Sequence, residues 1–60
     1  MIFVVDLNAD KNRNIVFRVN AWLADATETV AKWITRNGYK YHSEEITLMG
    51  DMIVWVTKEA

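Results

Sequence analysis

The chain has 60 residues, of which 52% are hydrophobic and 25% charged, and its formal net charge is −1. This composition is typical of a folded chain rather than a disordered one, so we expect a single domain spanning residues 1–60. A domain of this size buries only about 60% of its unfolded surface. The chain has no cysteine, which excludes both a stabilising disulfide and a thiolate metal site. The charge balance, without a basic tract, disfavours binding driven by nucleic-acid phosphates.

The longest apolar runs, 1–5 and 52–56, are too short to span a bilayer. No basic segment precedes the first run, so the sequence shows no signal peptide. We therefore expect a cytoplasmic protein without a membrane partner.

The first half of the chain predicts a β-hairpin. Residues 2–7 are rich in β-branched and aromatic side chains, which predicts strand 1. Residues 8–13 are polar and turn-rich. Residues 15–20 show an alternating pattern that places the apolar Ile15, Phe17 and Val19 on one face, which predicts strand 2.

A helical period follows from about residue 23 to residue 37, with Ala26, Val30 and Ile34 on its apolar stripe. Asp25 followed by Glu28 predicts a capping box, and Asn20 is an alternative cap one turn earlier. At the other end, Asn37-Gly38 predicts the left-handed residue that closes a helix.

The last third predicts a second hairpin. Residues 39–42 and 46–48 form strand 3. Its apolar residues are at odd positions in the first part and at even positions in the second, which predicts a bulge near residues 43–45. Gly50-Asp51 predicts a two-residue type II′ turn, and residues 52–56 form strand 4.

Strands 1 and 4 are apolar at nearly every position, which is typical of strands in the middle of a sheet. Strand 2 alternates and strand 3 carries charges, which is typical of edge strands. The sequence therefore predicts an α+β domain of ββαββ order, β-grasp-like, with one helix packed on a four-stranded mixed sheet of order 2-1-4-3.

This pattern resembles the immunoglobulin-binding domain of streptococcal protein G. Residues 1–8 are similar to its first strand, residues 25–38 to its helix, and residues 54–59 to its last strand. The resemblance implies this fold and an antibody Fc surface on the helix and strand 3. The positions it implies are Glu28, Lys32 and Tyr41. A looser likeness, in size and composition alone, is to small phage-encoded inhibitors of host proteins.

Catalytic patterns are weak. Glu44 and Glu45 are adjacent on a strand and should point to opposite faces, which does not suit paired acid–base catalysis. His42 and Ser43 should also point apart, so no nucleophile–base pair is expected. We predict a protein that is not an enzyme and uses no cofactor or metal.

The stronger signal is the number of apolar residues on strands 1 and 4, because one helix covers one sheet face only. We expect Phe3, Val5 and Leu7, together with Ile15, to face the helix. Val16 should face away from it, on a surface of the kind that marks interfaces. The predicted interaction residues on that open face are Ile2, Val4, Arg18, Tyr41, Ile53 and Trp55.

The leading hypothesis is a small protein-interaction module whose partner is another protein or a second copy, bound through the sheet face. An inhibitor of phage type is one form of this function. The alternatives are a designed ββαββ scaffold without natural function and nucleic-acid binding through the open sheet face.

Overall fold

The computed structural model describes residues 1–8 and 14–59. Most of the predicted turn at residues 8–13 lies outside these ranges. The described elements, in chain order, are β1 (Ile2–Asp6), β2 (Ile15–Val19), α1 (Ala26–Arg36), β3 (Tyr39–Ile46) and β4 (Met52–Lys58). They form an α+β domain with a four-stranded sheet of order β2-β1-β4-β3, as the sequence predicts.

The sheet is mixed, with β1 and β4 parallel at its centre and antiparallel pairs at both edges. This order follows from composition, because the two central strands are the two that are apolar on both faces. The charged side chains of β3 lie at an edge, where they discourage pairing with another strand.

The core lies between α1 and one face of the sheet. Its buried side chains come from alternate positions of the central strands and from one stripe of the helix. They are Ile2, Val4, Ala26, Val30, Ile34, Val54 and Val56.

The prediction that Ile2 and Val4 face away from the helix is wrong. Both belong to the core, with 4% and 0% of their surface exposed. The parallel register decides this, because Val4 pairs with Val54 and paired residues share a face. Phe3 and Val5 therefore face away from the helix, although neighbouring side chains leave only 5% of the Val5 surface exposed, and Leu7 is exposed.

An irregularity in the pairing of β1 with β2 changes which side chains at the start of β2 face the helix. Val4 pairs with Phe17, whereas Val5 pairs with Ile15, so Val16 is an extra residue. As a result Ile15 is exposed on the far face, and Val16 packs partly against the core, opposite to the prediction for both.

The helix begins after Asp25, the predicted N-cap, but the predicted capping box is wrong. The Asp25 side chain makes no capping hydrogen bond, and Glu28 pairs instead with Lys32 at 3.1 Å. The alternative cap, Asn20, forms a turn, since its side-chain oxygen accepts a hydrogen bond from the Trp22 amide.

The predicted helix end is confirmed. Gly38 has φ +74°, a left-handed conformation that a residue with a Cβ rarely adopts. Asn37 also donates its side-chain amide to the Trp33 carbonyl at 2.9 Å.

The second hairpin differs from the prediction in its turn. The Thr47 amide donates to the Asp51 carbonyl, and the Gly50 amide donates to the Thr47 carbonyl. The loop is therefore the three residues 48–50, with Gly50 in the left-handed region at φ +88°. The predicted bulge in β3 is present, between Tyr41 and Ser43.

Candidate interaction surfaces

The structure brings together only part of the predicted interaction set. Arg18, Ile53 and Trp55 lie on the face of the sheet that the helix does not cover. Tyr41 does not, because it pairs with the buried Val56 and therefore lies on the helix side. Ile2 and Val4 lie in the core, and their places on the uncovered face are taken by Phe3 and Val5.

The uncovered face consists of two rows of paired residues that cross all four strands, and we call it the open face. The first row is Arg18, Phe3, Ile53 and Glu45. The second row is Ile15, Val5, Trp55 and Ser43. Trp55 donates its indole N–H to Glu45 Oε1 at 3.3 Å, which connects the two rows. The middle of the open face is thus apolar, with Arg18 on one edge and Glu45 on the other, where Lys40, paired with Thr57, continues the same face.

A shallow apolar groove lies on the other side of the sheet, between α1 and β3. Tyr41 lines it and is half exposed, and its hydroxyl donates to Glu44 Oε1 at 3.2 Å. Desolvation raises the pKa of Tyr41, and the Glu44 charge and hydrogen bond raise it further. Glu28 and Lys32, the helix positions implied by the protein G likeness, are exposed and paired with each other. Antibody binding by these three residues stays a prediction.

The candidate catalytic residues do not converge on a cleft. Glu44 lies on the helix side and Glu45 on the open face, as their adjacency predicts. His42 and Ser43 do meet, with Nδ1 and Oγ 2.9 Å apart, so the prediction that they point apart is wrong. The bulge at His42 turns its ring toward the next side chain. Among residues 1–8 and 14–59, no three His, Asp or Glu side chains are grouped to bind a metal.

Sequence reasoning missed the most exposed apolar surface, at the end of the molecule where the helix begins. The loop between β3 and β4 and the connection from β2 to α1 flank one groove there. We call this surface the apolar end, and its large exposed side chains are Trp22, Leu23, Ile46, Leu48 and Met49. Trp22 is 90% exposed, so it does not cover the corner between β2 and α1.

Backbone hydrogen bonds hold the apolar end in this shape. In the connection, the Leu23 amide donates to the Asn20 carbonyl and the Ala26 amide to the Leu23 carbonyl. In the hairpin loop, the Asp51 amide donates to Thr47 Oγ1 at 3.1 Å. Because short turns present their central residues to solvent, Trp22, Leu48 and Met49 project outward. The signal in the sequence was the run Leu48-Met49 directly before a glycine that ends a three-residue loop.

At the opposite end of the helix, three aromatic rings from three elements form an aromatic stack. Trp33 lies between Phe17 and Tyr39, with ring centroids 4.8 and 5.5 Å apart and nearly parallel planes. Lys58 Nζ lies 4.5 Å from the Tyr39 ring centroid. Desolvation raises the pKa of Tyr39, and the charge and hydrogen bonding of Asp6 add to the increase. These three rings therefore pack against one another within the domain.

A scan of protein-family models and searches of curated proteins and of solved structures found no match to this chain. In the described part of the chain, the helix is too short and too polar to cross a membrane.

Proposed function

We propose that this chain is a protein-interaction module, not an enzyme, which binds a partner protein through its apolar end. The observation that carries the proposal is the exposure of five large apolar side chains, four on two adjacent turns and the fifth, Ile46, at the end of β3 beside them. A contiguous exposed apolar surface is typical of interfaces on soluble proteins. Tryptophan, in addition, is among the residues that contribute most to binding when an interface buries them.

The apolar end has the anatomy of an interface core with a polar rim. Its groove is lined by Leu23 and Ile46, with Ala24 and Gly50 at the sides. A single apolar side chain of a partner fits such a groove, while Trp22 and Met49 provide contact area around it. The turns are held by backbone hydrogen bonds, so little ordering is needed on binding.

Carboxylates flank this surface and define the partner's charge. Asp25 follows Ala24 of the groove, and Glu44 precedes Ile46 by two residues on the same strand face. A third carboxylate, Asp51, is paired with the Met1 amino group at 3.2 Å. Complementary rims of opposite charge favour association and exclude partners with like charge. The partner that fits is therefore a cytoplasmic protein with an apolar projection surrounded by lysine or arginine.

A site-specific photo-cross-linker tests the proposal. With p-benzoylphenylalanine at Leu48, irradiation in an extract of the native host should give one dominant adduct with another protein. The same group at Thr35, which is exposed near the far end of the helix, is the matched control and should not give that adduct. Absence of an adduct with another protein, or equal adducts from both positions, would contradict the proposal.

The captured protein is then purified and titrated with variants of this chain. Trp22→Ser should weaken its binding by at least about tenfold, as expected for a buried aromatic contact. Leu7→Ser, a comparable change at another exposed apolar residue, should leave the affinity unchanged. Equal affinities for Trp22→Ser and the unmodified chain would overturn the assignment of this surface.

A further inference from the structure

The open face has a second property, which is independent of the apolar end. In its first row the charges stand at opposite edges, with Arg18 on β2 and Glu45 on β3. Between them lie Phe3 and Ile53, on the two central strands. A row of this kind is complementary to a copy of itself turned through 180°.

We propose that the open face binds the same face of a second copy, forming a dimer whose two-fold axis runs parallel to the strands. Such a rotation places β2 of one copy over β3 of the other, and β1 over β4. Each Arg18 then faces the partner's Glu45, and each Phe3 faces the partner's Ile53. In the second row, the large Trp55 of the partner lies over Val5, which is only 5% exposed within one copy. Isologous contacts of this kind close into a dimer and leave no free end for further growth.

The charges favour this arrangement over a packing of the same faces whose two-fold axis crosses the strands at the first row. That axis places Arg18 over Arg18 and Glu45 over Glu45. Like charges in contact across an interface oppose association, whereas opposite charges favour it and fix the register. Aligned packing is also the usual relation of two stacked sheets, which lie about 10 Å apart.

The open face spans four strands, which lie about 4.8 Å apart, and two rows of side chains along them. Its area is below the roughly 800 Å² per partner that a standard stable interface buries, so we expect a dimer that forms as the protein concentration rises. Packing a second sheet on the open face also removes from water the apolar side chains that the single helix cannot cover. This compensates for the small buried fraction of a 60-residue chain.

Charge reversal with rescue tests the dimer, because both charged residues are exposed and neither lies in the core. Sedimentation equilibrium of the unmodified chain should show a concentration-dependent approach to the mass of two chains. Arg18→Glu alone and Glu45→Arg alone should each raise the dissociation constant about tenfold or more, since each creates a like-charge contact. The double variant Arg18→Glu/Glu45→Arg restores opposite charges and should return the constant to within about threefold of the original.

Two controls separate this result from general effects of charge and from loss of structure. Arg36→Glu changes the net charge as Arg18→Glu does, but lies at the end of α1, and should leave the dimer intact. Circular dichroism of each variant should match that of the unmodified chain. Trp22→Ser should also leave the dimer unchanged, which distinguishes this interface from the apolar end.

The proposal is overturned if the unmodified chain keeps the mass of one chain at millimolar concentration. It is equally overturned if the single reversals dimerise as well as the unmodified chain. Failure of the double variant to recover would assign the contact to a different register and contradict the arrangement stated here.

Discussion

The two ends of the helix carry the same kinds of side chain and use them differently. At the end where the helix closes, Trp33 is stacked between two rings from β2 and β3. At the end where the helix begins, Trp22 is almost wholly exposed. Both tryptophans are close to an end of the same helix, so residue type alone does not explain the difference.

The difference comes from what lies opposite each residue. Trp33 is inside the helix and points along the flank of its apolar stripe, where Phe17 and Tyr39 are within stacking distance. Trp22 lies in a turn before the helix, and the neighbouring loop at residues 48–50 is also a turn. Two turns side by side have no sheet or helix face to cover them. The comparison teaches that the aromatic stack contributes to folding, whereas the apolar end is available for binding.

Replacing each tryptophan by alanine should give the largest contrast between the two ends. Trp33→Ala removes both stacked contacts and leaves a cavity beside the core, so we expect a loss of about 2–3 kcal/mol in the free energy of unfolding. Trp22→Ala removes an exposed side chain and should change it by less than about 0.5 kcal/mol. Urea denaturation measures both values, and similar losses for the two variants would contradict the comparison.

Replacing the two glycines, one near each end of the helix, should change stability less than replacing Trp33 does. Gly38 closes the helix beside the aromatic stack and Gly50 ends the loop of the apolar end, and both have positive φ. No atom lies within 4 Å of a Cβ built at either residue, so alanine there meets backbone strain but no clash. We expect Gly38→Ala and Gly50→Ala each to lower stability by about 1 kcal/mol.

Thermal and urea denaturation of these glycine variants also report whether the loop of the apolar end unfolds with the rest of the domain. Equal losses indicate one cooperative unit. A loss at Gly38 without one at Gly50 would mean that the loop opens independently, and the apolar end would then not be the pre-formed surface inferred above.

Titration of Tyr39 should give the smallest effect. Its pKa is raised in the folded domain, so the unfolded chain loses the phenolic proton at a lower pH than the folded chain does. Stability is therefore complete below the ordinary tyrosine value near 10 and falls as the pH rises through the higher pKa of the folded state. Tyr39→Phe should reduce this fall. Urea midpoints between about pH 9 and pH 11 measure it, and an identical pH dependence in the variant would contradict the raised pKa.

Tyr41→Phe is the matched control, because the pKa of Tyr41 is raised too, but its ring is half exposed in the groove beside the helix. Its effect on the pH dependence should be smaller than that of Tyr39→Phe, since water screens an exposed hydroxyl.

The sequence predicted the order of the strands but not which side chains of β1 face the helix. Order depends on composition, and β1 and β4 are visibly the strands that are apolar on both faces. Which face of the sheet a side chain lies on depends on whether its position in the strand is odd or even. In β1 the residues Ile2, Phe3, Val4 and Val5 are all apolar, so no polar position shows which set faces solvent. For the same reason Ile2 and Val4 were assigned to the open face in place of Phe3 and Val5.

Of the two candidate interaction surfaces, part of the open face could be predicted from the sequence and the apolar end could not. Arg18 was predictable on the open face because it is the charged residue of β2. The assignment of Ile53 and Trp55 was correct although residues 52–56, like the apolar run of β1, have no polar position to reveal their parity. The apolar end was not predictable, since Leu48 reads equally well as the last residue of a strand. Only the three-residue loop, with its hydrogen bonds from Thr47, places Leu48 and Met49 in solvent.

By itself the sequence determined the elements, the closure of the helix at Gly38 and the order β2-β1-β4-β3, because these follow from local periodicity, from left-handed glycine and from the burial of apolar strands. The tertiary structure alone decided the parity of β1, the position of the second turn and the different fates of Trp22 and Trp33. These depend on register and on which elements lie opposite one another, and register is a property of paired strands rather than of any one segment.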